Sequence, residues 1–349
     1  MKRLKKTLAV ILTLCMMMSC VSVTAFATGT DASEKDQAAT EETKVADEEN
    51  TSDDEASKEA VVSSDSEEEN TEVKLEDKWL HPQNSGISTT SAADDFFKIM
   101  FLDCGRKYFS VDGIKQIIDN ASAAGFNYIQ LAVGNDGLRF LLDDMSLKVN
   151  GKTYNSSAVT SAIQAGNKFY CDFGTNELTQ TEMDTIIKYA SEKGMGVIPC
   201  INSPGHMDVI LSAANSLTGT TCSYNESKRT IDVTNDTAVQ FTQTLIRKYM
   251  AYFAGKGCKY FNLGADEYAN DKYTSGSMGF GNLQRMGQYS YYVQYVNQMA
   301  DAVKTNGMTP MAFNDGIYFA DDTSGGEFNT GIIICYWSSG WGAYTPMSV

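Results

Sequence analysis

An α/β fold on a parallel sheet is the architecture this sequence predicts, and three observations carry it. From Phe96 onward, short β-branched or aromatic runs alternate with longer segments of helical period. Glycines close the helical segments at Gly125, Gly194, Gly255 and Gly307. Residues capable of chemistry follow the strands one after another, each where a strand would end.

The elements read in order as follows. Residues 97–102 form a first strand and residues 111–124 a helix; residues 128–133 form the second strand. Residues 138–179 are too long for a plain loop, and residues 146–154, with Asn150-Gly151 at their centre, read as an inserted β-hairpin that would rise above the active face and shape a substrate cleft. A helix over 180–193, a strand over 196–201, a helix over 238–254 and a strand over 260–263 come next. A helix over 289–306 and strands over 309–313 and 331–336 complete six strands. Repeated strand–helix units imply right-handed crossovers and parallel pairing.

A doubly wound sheet and a (β/α)8 TIM barrel both satisfy this order. No GxGxxG or GxxxxGK[ST] follows the first strand, which weakens nucleotide-binding versions of the former. A barrel draws its site from the C-terminal ends of several strands. Here Arg106 follows the first strand, Asp136 the second, His206 the third, Asp266 and Glu267 the fourth, Asp315 the fifth and Trp337 the sixth. The barrel is the expected fold, with about six of its eight strands present.

Ahead of it lie two segments of different composition. Lys2, Arg3, Lys5 and Lys6 precede a short apolar run, and Ala25-Phe26-Ala27 offers a cleavage site, so residues 1–27 read as a secretory signal peptide. Residues 28–78 carry nineteen acids against five lysines and no aromatics. Such a composition cannot offset the entropy of ordering and predicts an extended, disordered linker, taken here as 28–90, which serves as a spacer or as a solubilising tail. The barrel domain is assigned to 91–349, and the mature chain is expected to have no membrane span.

Of the net charge of −16, the chain beyond residue 78 keeps only −6, without a basic stripe, so a nucleic-acid partner is not expected. Two histidines, His81 and His206, exclude a three-histidine metal site, and no metal or other cofactor is expected. Past the signal there are six cysteines: Cys104, Cys171, Cys200, Cys222, Cys258 and Cys335. Most lie in or beside apolar runs and read as buried free thiols.

The strongest local signal is Leu263-Gly264-Ala265-Asp266-Glu267. Neighbours in a regular strand face opposite ways, so both acids can serve one pocket only where the strand ends and the backbone turns. Small residues before them allow close approach by a ligand or a neighbouring strand. Placed this way, the pair is a credible acid/base couple.

With Leu102-Asp103-Cys104-Gly105-Arg106, Gly134-Asn135-Asp136-Gly137-Leu138-Arg139-Phe140 and Ser203-Pro204-Gly205-His206, this motif makes the chain resemble the glycoside hydrolase family 20 β-N-acetylhexosaminidases and lacto-N-biosidases. The resemblance runs from about Phe96 to Tyr344. It implies an exported enzyme, secreted or at the cell surface, that removes terminal β-linked N-acetylhexosamine, or a disaccharide ending in it, from glycans. The substrate's own 2-acetamido oxygen would act as nucleophile, with retention, an exception to the two-carboxylate scheme.

By resemblance, Glu267 is the general acid and base, and Asp266 orients the acetamido N–H and stabilises the oxazolinium charge. Arg106 would bind hydroxyls of the terminal sugar. Asp136 and His206 would support Glu267, and Trp337 would line the acetamido pocket. Trp341 and Tyr344 are further stacking candidates, and Asp315 matches a position that often carries an acid.

The family commonly has His and a second Gly where this chain has Asn262 and Ala265. With the family's last two strands unread, a fragment of a longer protein is expected, open at the sheet edges. Two competing readings are a chitinase-type barrel, for which the DxxDxDxE signature is missing, and a non-catalytic glycan-binding protein.

Overall fold

The computed structural model describes residues 96–168, 176–274 and 276–338. The signal and linker segments, His81, Cys171, Trp341 and Tyr344 lie outside the described residues. Six parallel strands form the frame: β1 (Ile99–Asp103), β2 (Tyr128–Asn135), β6 (Gly196–Ser203), β7 (Tyr260–Gly264), β10 (Thr309–Phe313) and β11 (Ile333–Cys335), paired in that order. The short β3 (Gly137–Leu138) folds back antiparallel on β2, and β8 (Tyr273–Thr274) and β9 (Ser277–Met278) pair antiparallel in a small separate ribbon. Sequential parallel neighbours joined by helices are the connectivity of a (β/α) barrel.

The sheet curls, and the start of its strands shows it. Phe97, Tyr128 and Tyr260 bring their rings within 5.1–5.6 Å of one another, although β1 and β7 are separated by β2 and β6. A Cβ on Gly196, which opens β6 between them, would strike the Tyr128 ring. The three rings therefore close the N-terminal end of the sheet across its concave side, in edge-to-face and tilted contacts that add to apolar burial. Among the described residues β1 and β11 each pair on one side only, and the interior-facing Phe101 of β1 is 47 % exposed.

The long helices form where apolar residues recur with helical period. They are α1 (Val111–Ala123), α3 (Gln180–Glu192), α5 (Asp236–Gly255) and α7 (Tyr289–Thr305). Ser110 caps α1, Asn235 caps α5, and Thr179 with Glu182 forms a capping box on α3. Each buries one face, for example Ile114, Ile118 and Ala121 of α1 or Phe241, Leu245, Tyr249 and Phe253 of α5.

Three further helices lie outside the sequence expectation: α2 (Ser156–Asn167), α4 (Asp208–Thr218) and α6 (Gly279–Arg285). The inserted hairpin is present as β4 (Leu147–Val149) and β5 (Lys152–Tyr154), turning on Asn150 and Gly151 with φ of 50° and 78°. Its position differs from the expectation. Asn150 donates its backbone N–H to Gln240 and its side-chain amide to Thr237 of α5, at 2.8 Å for the latter. Lys248 of the same helix holds Asp144 and the carbonyl of Ser146. The hairpin thus packs on the outer helix instead of standing over the cleft, because polar partners on α5 meet its turn and flanks.

Cys104, Cys200, Cys222, Cys258 and Cys335 are free thiols, and burial pushes each of them up from the ordinary thiol pKa. Among the described residues no helix is long and apolar enough to cross a membrane.

Candidate active site

A cleft of about 310 Å³ opens at the C-terminal ends of the strands, at the lower end of the roughly 300–1,000 Å³ typical of small-molecule pockets. Arg106, His206, Asp266, Glu267 and Trp337 line it. These five sequence candidates come from loops after β1, β6, β7 and β11, so the curl of the sheet is what brings them together.

The acid pair sits on a turn that begins inside β7. Gly264, Ala265 and Glu267 have φ of 72°, 64° and 47°, the left-handed region that costs a non-glycine residue about 1–3 kcal/mol. The turn swings Glu267 to the same cleft as Asp266. A Cβ at Gly264 would collide with the side chain of Asn202 on β6, so the close neighbour anticipated at this glycine is the adjacent strand. The turn is fastened from several sides. Asp315 accepts the Glu267 backbone N–H at 2.8 Å, Tyr292 donates to the Ala265 carbonyl at 2.5 Å, and Thr230 accepts the Ala269 N–H at 2.9 Å. Asn262, where the resembled family commonly has a histidine, accepts the Gly264 N–H at 2.8 Å.

Behind Glu267 runs a relay. His206 reaches Glu267 Oε2 from Nε2 at 2.9 Å and Asp136 Oδ1 from Nδ1 at 2.8 Å, and Arg106 donates Nε–H to Asp136 Oδ2 at 2.8 Å. Burial opposes charge on His206, but the hydrogen bonds to Asp136 and Glu267 and the charge of Asp266 outweigh it and hold the imidazole pKa at about 10. At neutral pH both ring nitrogens therefore donate. The Arg106 Nη2, 3.1 Å from Nδ1, is a close approach of two donors drawn together by the Asp136 carboxylate. The same His206 hydrogen bond, against the opposing effect of burial, holds Glu267 below its usual pKa.

Asp136 and His206 share the left-handed backbone of Glu267, at φ 59° and 50°. Three linked residues in a sparsely populated conformation mark a place where packing fixes geometry at a cost in stability. Asp266 is raised by burial, against the lowering effects of His206 and of Asn202.

Asp315 is fully buried beneath the turn. One oxygen holds Glu267, and the other accepts the Trp337 indole N–H at 3.1 Å. Burial first, then the neighbouring Asp266, raises it to about 7. Its place is under the acid pair and Trp337, away from the cleft lining. Asp103, Asn135, Asn202 and Asp208 were not singled out from sequence. Asp103 accepts the backbone N–H groups of Gly105 and Arg106 and a 3.1 Å hydrogen bond from Arg106 Nη1. Asp208, first residue of α4, is raised to about 7 by burial and by Asp136. The available signal was position: Asp103, Asn135 and Asn202 are polar residues at the C-terminal ends of apolar strands.

Among the described residues no cluster of three His, Cys, Asp or Glu side chains could hold a metal ion.

A curled parallel sheet with a strained acid pair, a histidine–aspartate relay and a tryptophan at its C-terminal end defines the class, a (β/α)-barrel domain with its site where that fold places chemistry. The chain belongs to glycosyl hydrolase family 20, whose catalytic domain matches residues 97–345. It is similar to the catalytic modules of the pneumococcal exo-β-D-N-acetylglucosaminidase StrH, with 43 % identity and a TM-score of 0.68 over 72 % of this chain and 61 % of that one. A lacto-N-biosidase of Bifidobacterium bifidum is 30 % identical over 168 residues, 46 % of this chain and 14 % of that protein. A β-N-acetylhexosaminidase structure from Bacteroides fragilis, at 22 % identity and a TM-score of 0.52, shares the fold over 69 % of this chain and 45 % of that one. The chain thus spans less than two thirds of the length of these relatives.

Proposed function

We propose that this protein is an exported retaining glycosidase that removes terminal β-linked N-acetylhexosamine, or a disaccharide ending in it, from glycans by substrate-assisted catalysis. Residues 1–27 serve as the export signal, residues 28–90 as the linker and residues 91–349 as the catalytic unit, acting outside the cell or at its surface. The observation that carries the reading is the left-handed turn that aims Asp266 and Glu267 into one cleft, each backed by a different partner, Asn202 for Asp266 and His206 for Glu267.

The chemistry follows from that division. His206 and Glu267 share one proton along a 2.9 Å contact. In the open cleft it resides on His206. A sugar in the cleft excludes water from Glu267, and desolvation favours the neutral pair, so the proton passes to Glu267 Oε2.

The acetamido carbonyl oxygen then attacks C1 as the glycosidic C1–O bond breaks, and the leaving oxygen takes the Glu267 proton. Asp266 accepts the acetamido N–H and faces the positive charge that develops on the oxazolinium ring, a preorganised stabilisation on the order of 10²–10³ in rate. Glu267, now a carboxylate, removes a proton from water as the water oxygen bonds to C1 and the ring opens, returning the β-configured sugar. Arg106 holds terminal-sugar hydroxyls, with Asp136 tying it to His206, and Trp337 walls the acetamido side, fixed by Asp315.

Turnover of a chromogenic β-N-acetylglucosaminide, its GalNAc epimer and the matching lacto-N-bioside by the full chain tests the reading and sorts the sugar specificity. Activity on at least one of them, lost in Glu267→Gln, is expected. Binding of these sugars without turnover would leave a lectin-like role instead.

A further inference from the structure

One nitrogen of Asn202, on β6, lies between two acceptors. It is 2.5 Å from Asp266 Oδ1 and 3.3 Å from the side-chain oxygen of Asn135 on β2. Only an NH₂ group satisfies both, which fixes the amide orientation. Asn135 then donates its own Nδ2–H to Asp103 Oδ2 at 2.9 Å, the oxygen that also accepts from Arg106 Nη1. Four adjacent strands are thus bridged at one level, from the arginine after β1 to the acid after β7.

The belt leaves the Asn202 carbonyl oxygen buried without a hydrogen-bond partner. An orphaned buried acceptor costs about 1–3 kcal/mol, so the arrangement is retained at a loss in stability. Gly264 makes it possible, because any Cβ there would overlap Asn202.

We propose that Asn202, held in turn by Asn135, is a positioning residue that fixes the rotamer and the charge of Asp266 for its contact with the acetamido group. The inference rests on the substrate-assisted reading for its catalytic consequence, but the contact itself does not. Arg106–Asp136–His206 reaches Glu267 by one route, and Arg106–Asp103–Asn135–Asn202 reaches Asp266 by the other. The two acids are therefore held by separate arms of one polar ring. The titratable groups that face Asp266 are His206, Glu267, Asp315, Cys200 and Tyr292.

The test compares the full chain with Asn202→Ala, Asn202→Asp and Asn135→Ala. Thermal melts establish folding, and chromogenic β-N-acetylglucosaminide is turned over across pH. Calorimetry measures binding of a thiazoline analogue of the oxazolinium ring and of free GlcNAc. In Asn202→Ala, kcat falls roughly 10- to 100-fold with KM within about threefold, and thiazoline affinity falls with it while GlcNAc affinity holds. Asn135→Ala shows the same pattern at a smaller size.

Asn202→Asp places a second carboxylate against Asp266 and moves the acidic limb of kcat/KM upward. Unchanged kcat and thiazoline affinity in folded Asn202→Ala, or a loss that tracks only the folded fraction, would overturn the proposal. Failure of the functional reading shows instead in the unaltered chain, as neither turnover nor thiazoline binding. In that case the carbon-13 titration of the Asp266 carboxyl decides: an upward shift in Asn202→Ala sustains the positioning role, and an unmoved titration refutes it.

Discussion

The two ends of the same sheet are built on opposite terms. At the N-terminal end, Phe97, Tyr128 and Tyr260 meet ring against ring, with none of the three residues in a left-handed backbone. At the C-terminal end, Asp136, His206 and Glu267 are left-handed, Asn202 keeps an orphaned oxygen, and charged groups are stacked within hydrogen-bond distance. Each strand carries both: β2 runs from Tyr128 to Asn135 and β7 from Tyr260 to the acid turn. Stability is gathered at one end, and strain is tolerated at the other where geometry matters for chemistry.

Substitutions at the two ends should therefore fail differently. The largest effect belongs to Glu267→Gln, which removes the transferable proton and lowers kcat by about 1,000-fold in steady-state turnover, far beyond the modest fall in melting temperature expected from losing its ion pair with His206. Asp266→Asn follows, with kcat lower by about 100-fold, since an amide cannot offset the oxazolinium charge. At the other end, Tyr128→Ala opens the aromatic plug and destabilises the domain by roughly 2 kcal/mol in urea titrations, while kcat per folded molecule stays within about twofold. A Tyr128→Ala enzyme that folds normally but turns over poorly would erase the distinction between the ends.

The acid end also carries a pH dependence that the aromatic end lacks. The folded-state pKa of His206 is raised from 6.5 to about 10, so its stabilising pairs are fully present below about pH 6.5 and are lost as pH climbs towards 10. The stability difference between the wild type and His206→Gln should shrink across that window. A difference independent of pH would mean that His206 is neutral in the folded protein.

The four long helices were legible because each buries one face and leaves a period in the sequence, and the strands because, buried on both faces, they read as short continuous apolar runs. The missed α4 is short, and its polar stripe of Asp208, Ser212, Asn215 and Ser216 is built from residues of weak helix preference beside the buried Val209, Ile210, Leu211, Ala213 and Ala214. In α2, small polar and β-branched residues such as Ser156, Ser157 and Thr160 give weak local preference, and tertiary packing on Val159 and Ile163 decides.

In the site, Arg106, Asp136, His206, Asp266 and Glu267 were visible because they follow strand ends, whereas the charged Asp103 and Asp208 were passed over. Asn135 and Asn202 were missed as well, since an amide carries no charge pattern and its importance appears only when neighbouring strands are in register. Asp315 was visible by position, but only packing reveals that it faces Glu267 and Trp337 from below. The hairpin was right in its turn and wrong in its placement, because the sequence does not display the Thr237 and Gln240 partners that draw it to α5.

The central claim is that the substrate's acetamido oxygen, and not a protein carboxylate, attacks C1 while Asp266 steadies the charge. It is tested most directly by kcat/KM of the full chain on chromogenic β-glucosaminides whose N-acyl group carries none, one, two or three fluorines. Each fluorine withdraws electrons from the attacking oxygen, and a steep, continuous fall across the series is the predicted result. A flat series would contradict it and assign the attack to the protein.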